Sequence, residues 1–558
     1  MQRSYWLPII IPDKIVLNLQ HLKMKLQNNL LFCISVCQVG MAVCQNNDPI
    51  IAGKDIAIVQ TIYGKVRGYI HNGIYTFKGI PYARAERFMA PEKPAKWEGV
   101  RSSMAYGPAC PRALTSFVID EAEFPFQHNW GYINENCLNL NIWTKKASER
   151  SKKPVLVWFH GGGFSSGSSA DLPSLEGESL SRKGDVVVVS VNHRLNVLGF
   201  LDLAAYGEKY ASSPNAGLMD LVAALQWVNE NIALFGGDPG NVTIFGQSGG
   251  GGKVICVLNA PSAKGLFQRA IVQSGSYVSR FMEDSIAKKV AAGVLEELGL
   301  QPVQVDSLQK IPYEVLNAAG WRALKNVEES LRPEERTFFG LNWGPVLDGK
   351  FLPYQPNEAS AMALSRDIPM LIGSTKNEFA PLVPGSGDIS MDSAKRKLQA
   401  KYGDKVPAYL AAVKKAYPQT VKPSDYLDID FILRSGAISQ ADHKAVPGAA
   451  PVYMYLFTWQ SPVLDSSYKA MHCMELPFVF NNIKRCEEMT GGGEQAYELA
   501  DKMSEAWINF AKTGNPNTGA LPPWPAYSSG NGATMIFDNV CQVKFHHDRE
   551  LLAIANTK

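Results

Sequence analysis

The run Gly246-Gln247-Ser248-Gly249-Gly250 follows an apolar, strand-like stretch at 241–245 and precedes a helical one. This is the G-x-S-x-G pattern of a nucleophile elbow in the strand-turn-helix setting that its chemistry requires. Glycines on either side of Ser248 carry no Cβ, so the backbone can turn sharply and present the hydroxyl at the end of the strand. Taken alone, such a pentapeptide is equally an ordinary turn. Upstream, the apolar run 154–159 leads directly into His160-Gly161-Gly162-Gly163-Phe164, an HGGG type of loop. In acyl transfer a carbonyl oxygen becomes an alkoxide, and preset backbone N–H groups that receive it are each worth about 10² to 10³ in rate. Gly162, Gly163 and Gly249 are the candidate donors.

A hydroxyl becomes a competent nucleophile when a base takes its proton, and a histidine base needs a carboxylate to fix its tautomer and stabilise its cation. The chain holds nine histidines. With this type of elbow the chain order is Ser, acid, His, which leaves His443, His472, His546 and His547 as bases. His472 lies in a loop beyond the strand-like run 451–457, where a catalytic side chain belongs. His443, His546 and His547 sit in polar or charged stretches and read as solvated. The run 368–372 is another apolar strand, and Glu378 falls in the loop after it. Spacing alone leaves the neighbouring acids open.

These residues must be held by a larger frame. Apolar strands such as 186–191 alternate with helical stretches such as 218–233 and 494–512. Near-continuous apolar strands separated by helices argue for an α/β fold whose large, mostly parallel sheet is covered by helices on both faces. The helical segments 284–357 and 384–446 read as cap-like insertions framing a gorge, with Phe124, Phe126 and Trp130 as aromatic wall candidates. Basic pairs Lys145-Lys146 and Lys152-Lys153 flank a predicted strand and read as a solvated loop.

Several longer stretches carry a family resemblance. They include Phe77-Lys78-Gly79-Ile80-Pro81-Tyr82-Ala83, Glu135-Asn136-Cys137-Leu138-Asn139-Leu140, Asn215-Ala216-Gly217-Leu218-Met219-Asp220 and Phe235-Gly236-Gly237-Asp238-Pro239. Gln273-Ser274-Gly275-Ser276 and Pro523-Trp524-Pro525 continue the series. In this order the chain resembles the type B carboxylesterase and lipase family, which includes the cholinesterases, from about residue 58 to 538, and it looks closest to secreted bacterial carboxylesterases. The resemblance implies an α/β-hydrolase fold and a serine carboxylic ester hydrolase acting through an acyl-enzyme on small to medium uncharged esters. Residue by residue it implies Ser248 as nucleophile, Glu378 as acid, His472 as base, and Gly162, Gly163 and Gly249 as oxyanion donors. It further implies Ser274 as a support of the triad, His160 as a residue ordering the oxyanion loop, and a Cys110–Cys137 disulfide. No cofactor or metal is implied.

Departures from the family pattern are informative. Many members carry Glu-Ser-Ala at the elbow, whereas here the run is Gln247-Ser248-Gly249, so a negative charge beside the nucleophile is missing. That argues against a cationic, choline-like substrate. Cys473 follows the histidine where glycine is commoner, and reads as a buried, inert thiol. Two other classes compete with the esterase reading. One is a non-catalytic adhesion module of the same fold, disfavoured by the presence of Ser248, Glu378 and His472. The other is a thioester or amide hydrolase with the same triad.

The chain has 558 residues, 46% of them hydrophobic and 19% charged, with a net charge of +3. That balance suggests no nucleic acid and no anionic membrane as partner. Met24-Lys25 and the apolar run 30–36 resemble a secretory signal. The expected organisation is a mis-assigned N-terminal extension at 1–23, with translation starting at Met24, a signal peptide at 24–44 and a single catalytic domain at 45–558. Export would place the protein in an oxidising compartment, secreted or periplasmic, with lipid attachment at Cys44 as the alternative. No other stretch has the length and apolarity of a membrane span. The sequence sets neither oligomeric state nor acyl preference.

Overall fold

The computed structural model describes residues 49–112, 120–129, 131–332, 340–382 and 389–556. The expected extension, the signal peptide, Cys44 and Trp130 lie outside them. Residues Ile50–Lys558 form one compact unit.

Its centre is a sheet of eleven strands, here β1 to β11: Tyr69–His71, Ile74–Pro81, Asn139–Thr144, Lys153–Phe159, Val187–Val191, Gly237–Gln247, Arg269–Gln273, Met370–Thr375, Val452–Phe457, Ala533–Phe537 and Gln542–Phe545. In space they run β11-β10-β9-β8-β7-β6-β4-β5-β3-β2-β1. Six neighbouring pairs are parallel. Four pairs, at the two ends of the sheet, are antiparallel. The sheet is therefore mixed, with a parallel middle.

Side chains alternate along each strand, and both faces are dry. Val155, Val157, Val242, Ile244, Ala270, Val272 and Ile372 enter one core, while Leu156, Trp158, Phe245, Ile271 and Leu371 enter the other. Helix α1 (Ala216–Asn231) and helix α2 (Gly249–Leu258) pack into the first core through Leu218, Leu221, Leu225, Val254 and Val257. The second is closed by Glu494–Thr513, a helix that buries Leu499, Met503, Trp507 and Phe510 at three- and four-residue spacing. The strongly apolar strands follow from this arrangement, since neither face of the sheet meets water.

The two insertions behave differently from one another. Helices α3 (Asp284–Glu297) and α4 (Tyr313–Ser330) join the first core. Met391–Tyr402 and Val406–Ala416 instead build a small separate core with Leu456, Ile536 and Leu551. Lys153 corrects the solvated-loop expectation: it lies in β4, buried, with Nζ 2.8 Å from an Asp185 carboxylate oxygen. His547 also differs from expectation. It is part-buried with its ring 5.2 Å from Tyr417, and burial lowers its pKa to about 4.

The expected Cys110–Cys137 bridge is not formed. Both cysteines are buried free thiols. Cys110 Sγ accepts the Leu195 N–H at 3.2 Å, and the hydrogen bond between the two cysteines, with burial, pushes the Cys137 thiol well up.

Candidate active site

Strand β6 ends at Gln247 and α2 begins at Gly249, so Ser248 alone makes the turn, at φ 56° and ψ −125°. A left-handed backbone at a serine costs roughly 1 to 3 kcal/mol and persists only where the surroundings enforce it. Here backbone lies against backbone. A Cβ on Gly250 would fall 1.9 Å from the Phe159 carbonyl oxygen, and one on Gly246 would fall 2.4 Å from the carbonyl carbon of Gly250. Ser248 N–H donates to the Gln273 carbonyl at 2.8 Å, tying the turn to β7.

The HGGG loop leaves the end of β4 beside this elbow. Gly162 and Gly163 have φ of 79° and 61°, which L side chains rarely adopt. Ser165 and Ser166 donate to the Gly162 carbonyl at 3.3 and 3.0 Å, closing the loop on itself. Gly249 meets Gly163 so closely that a Cβ would lie 2.2 Å from the Gly163 oxygen. The N–H groups of Gly162, Gly163 and Gly249 donate to no protein acceptor among the described residues. His160 is buried below the loop, its ring stacked on His193 at 4.9 Å, and burial drives its pKa well down, so the ring is neutral.

Glu378 and His472 come from the loops after β8 and β9. Their backbones pair, with His472 N–H donating to the Glu378 carbonyl at 2.8 Å. His472 Nδ1 is hydrogen-bonded to Glu378 Oε2. Glu378 Oε1 accepts Ser274 Oγ at 2.7 Å and the Thr375 N–H at 2.9 Å. Spacing had left the acid open, and the geometry brings Glu378 to the histidine. Two further carboxyls, buried Glu475 and part-buried Asp430, feel the Glu378 charge. Burial first, and that charge second, pushes each up to about 7.

Ser248, His472, Gly162 and Gly163 line one cavity of about 690 Å³. Phe126, Trp158, Phe164, Trp343 and Phe379 place aromatic rings in its wall. Phe379 lies 4.2 Å from the His472 ring, centre to centre. Phe126 is in the wall as expected, but Phe124 is instead 43% exposed. Asn342 and Trp343 come from the first insertion, whereas no described residue of the second lines the cavity. Cys473 is part-buried rather than fully buried. It lines the cavity, and its thiol donates to Gln247 Oε1 at 3.4 Å, while Gln247 Nε2 lies 3.3 Å from His472 Nε2.

Sequence reasoning missed Lys253, the one charged side chain of α2, wholly buried and reaching back to the HGGG loop. A lysine inside an otherwise small and apolar helical run was the available signal. It also missed Asp171, which lines the cavity with its carboxyl raised by burial.

An elbow at the end of a central parallel strand, with a carboxylate-histidine pair on later loops, defines an α/β-hydrolase. The Carboxylesterase family model matches residues 55–553. The para-nitrobenzyl esterase of Bacillus subtilis (strain 168) is 38% identical over 500 residues, covering 88% of this chain and 96% of the relative. Among solved structures, an esterase from Clostridium hathewayi that can hydrolyze aliphatic aromatic polyesters aligns with a TM-score of 0.81 at 38% identity, covering 91% of this chain and 99% of that one. A Geobacillus stearothermophilus carboxylesterase aligns at 0.71 and 35% identity over 90% of this chain and 100% of that one. The chain belongs to the carboxylesterase family and is a carboxylic ester hydrolase.

Proposed function

We propose that this enzyme hydrolyses small to medium uncharged carboxylic esters through a Ser248-His472-Glu378 triad and an acyl-enzyme. The observation that carries this reading is the convergence on one cavity of Ser248, the Glu378-bound His472 and glycine N–H groups that have no protein acceptor among the described residues. His472 takes the Ser248 proton as Oγ bonds to the ester carbonyl carbon. The resulting oxyanion accepts hydrogen bonds from Gly162, Gly163 and Gly249. Collapse breaks the carbon-oxygen bond to the alcohol, which leaves with the proton from His472. Water then repeats the sequence on the acyl-enzyme, releasing the acid and restoring the serine. Glu378 holds His472 in the tautomer with Nδ1 protonated and stabilises its cation.

Uncharged substrates fit a wall of aromatic rings with Gln247, not a glutamate, beside the nucleophile. The test is hydrolysis of p-nitrophenyl esters of increasing acyl length by the full chain and by Ser248→Ala. Turnover of short esters that falls by about 10⁴ to 10⁶ in the folded variant supports the reading. Near-normal turnover in Ser248→Ala would overturn it.

A further inference from the structure

Lys253 has no exposed surface and no carboxylate in ion-pair contact among the described residues. A buried, unpaired ammonium is expensive, and an apolar side chain of similar length would fill the same space without that cost. Its hydrogen bonds explain why an amine is here. Nζ donates to the His160 carbonyl at 2.9 Å and reaches the Gly161 carbonyl at 3.5 Å. The Gly161 carbonyl also lies 2.9 Å from His160 Nδ1, which donates to it from the neutral ring.

These carbonyls belong to the peptide units whose nitrogens are Gly161 N and Gly162 N. In a planar trans peptide the C=O and N–H point in opposite directions. Holding the two oxygens on the helix side therefore turns the Gly162 N–H toward the opposite side, and Gly162 itself lines the cavity. The flanking glycines have no side chain to restrain those planes, so an external anchor is what keeps them from flipping. The anchor stands on α2, the helix that starts at the nucleophile, so one helix braces both elbow and loop.

We propose that Lys253 is a positioning residue for the oxyanion hole, fixing the Gly161-Gly162 peptide so that its N–H is set before substrate arrives. The proposal rests on the serine-esterase reading above. Burial is the main influence on the amine and lowers its pKa to about 7, with Asp171 the largest opposing charge. Groups facing the amine are Asp171, Cys256 and Cys110, with the His160 and His193 rings stacked nearby.

The experiment compares wild type with Lys253→Met, which keeps length and removes the donor, and Lys253→Gln, which keeps a neutral donor. Esterase kcat and KM are measured beside the affinity of a trifluoromethyl ketone, which forms an oxyanion on the serine. Lys253→Met is expected to lower kcat by about 10- to 100-fold with KM within about twofold. Affinity for the ketone should fall by a similar factor, and Lys253→Gln should recover part of both. If Lys253→Met does not fold, Lys253→Gln carries the same readout against wild type, with both values lying below wild type. Unchanged kcat in a folded variant, or a kcat loss without loss of ketone affinity, would overturn the proposal. Wild type that is neither labelled at Ser248 by a fluorophosphonate nor able to turn over esters would instead remove the serine reading, and this proposal with it.

Discussion

The two sides of the site are held by different forces. On the nucleophile side, Ser248 and the HGGG loop are fixed by backbone lying on backbone, at places where even one methyl group does not fit. On the opposite side, Glu378 and His472 are fixed by side-chain hydrogen bonds from Ser274, Thr375 and each other. Close contact fails abruptly when atoms are added, whereas a hydrogen-bond network fails by degrees when partners are taken away. Lys253 is the exception on the first side, a long side chain bracing backbone.

The largest effect expected from breaking this contrast is on the hydrogen-bonded side. Glu378→Gln keeps the shape but offers His472 the wrong partner, and should lower kcat by about 10³ to 10⁴ with little change in thermal melting. Steady-state kinetics beside a melting curve check it. A smaller fall in activity, joined to a loss of stability, is expected of Gly250→Ala. Its Cβ would meet the Phe159 oxygen at 1.9 Å, so activity should fall by about 10² and stability by roughly 1 to 3 kcal/mol. A chemical denaturation curve would reveal that the two sides are alike if Gly250→Ala left stability untouched.

The smallest effect concerns pH. Glu475 has one carboxylate oxygen without a partner, and its pKa is raised to about 7 from 4.5. Between those values the folded protein keeps a proton that the unfolded chain releases, so this group lowers stability as pH rises through the window. Glu475→Gln stays neutral and should flatten that decline, leaving the variant's melting temperature roughly a degree or two above wild type at pH 8 relative to pH 5. Parallel melting curves across pH 5 to 8 decide it.

What the sequence made legible was local. Gly246 to Gly250, and His160 to Phe164, are contiguous motifs whose backbone demands are written in adjacent residues. The parallel middle of the sheet was likewise readable, because strands dry on both faces, such as 186–191, are apolar throughout. Illegible features depend on distant packing. Lys253 and the carbonyl of His160 are 93 positions apart. Phe124 and Phe126 looked alike, yet only the latter lines the cavity. The two helical insertions had the same pattern, but the first joins the main core, whereas the helices at 391–416 of the second build a core of their own and only its last helix, through Ala437 and Ala441, reaches the main one. Cys110 and Cys137 stand as free thiols, which residue types alone do not reveal.

Contact between Gly249 and Gly163 has a consequence for how this protein can change. The family resemblance places alanine after the nucleophile in many members, so that substitution looks conservative. In this chain the new methyl would stand 2.2 Å from the Gly163 oxygen, and the loop would have to yield first. The two positions are therefore locked in order. A mutational path toward the commoner elbow must loosen residue 163 before altering residue 249, and grafting single residues from relatives in the reverse order passes through a damaged enzyme.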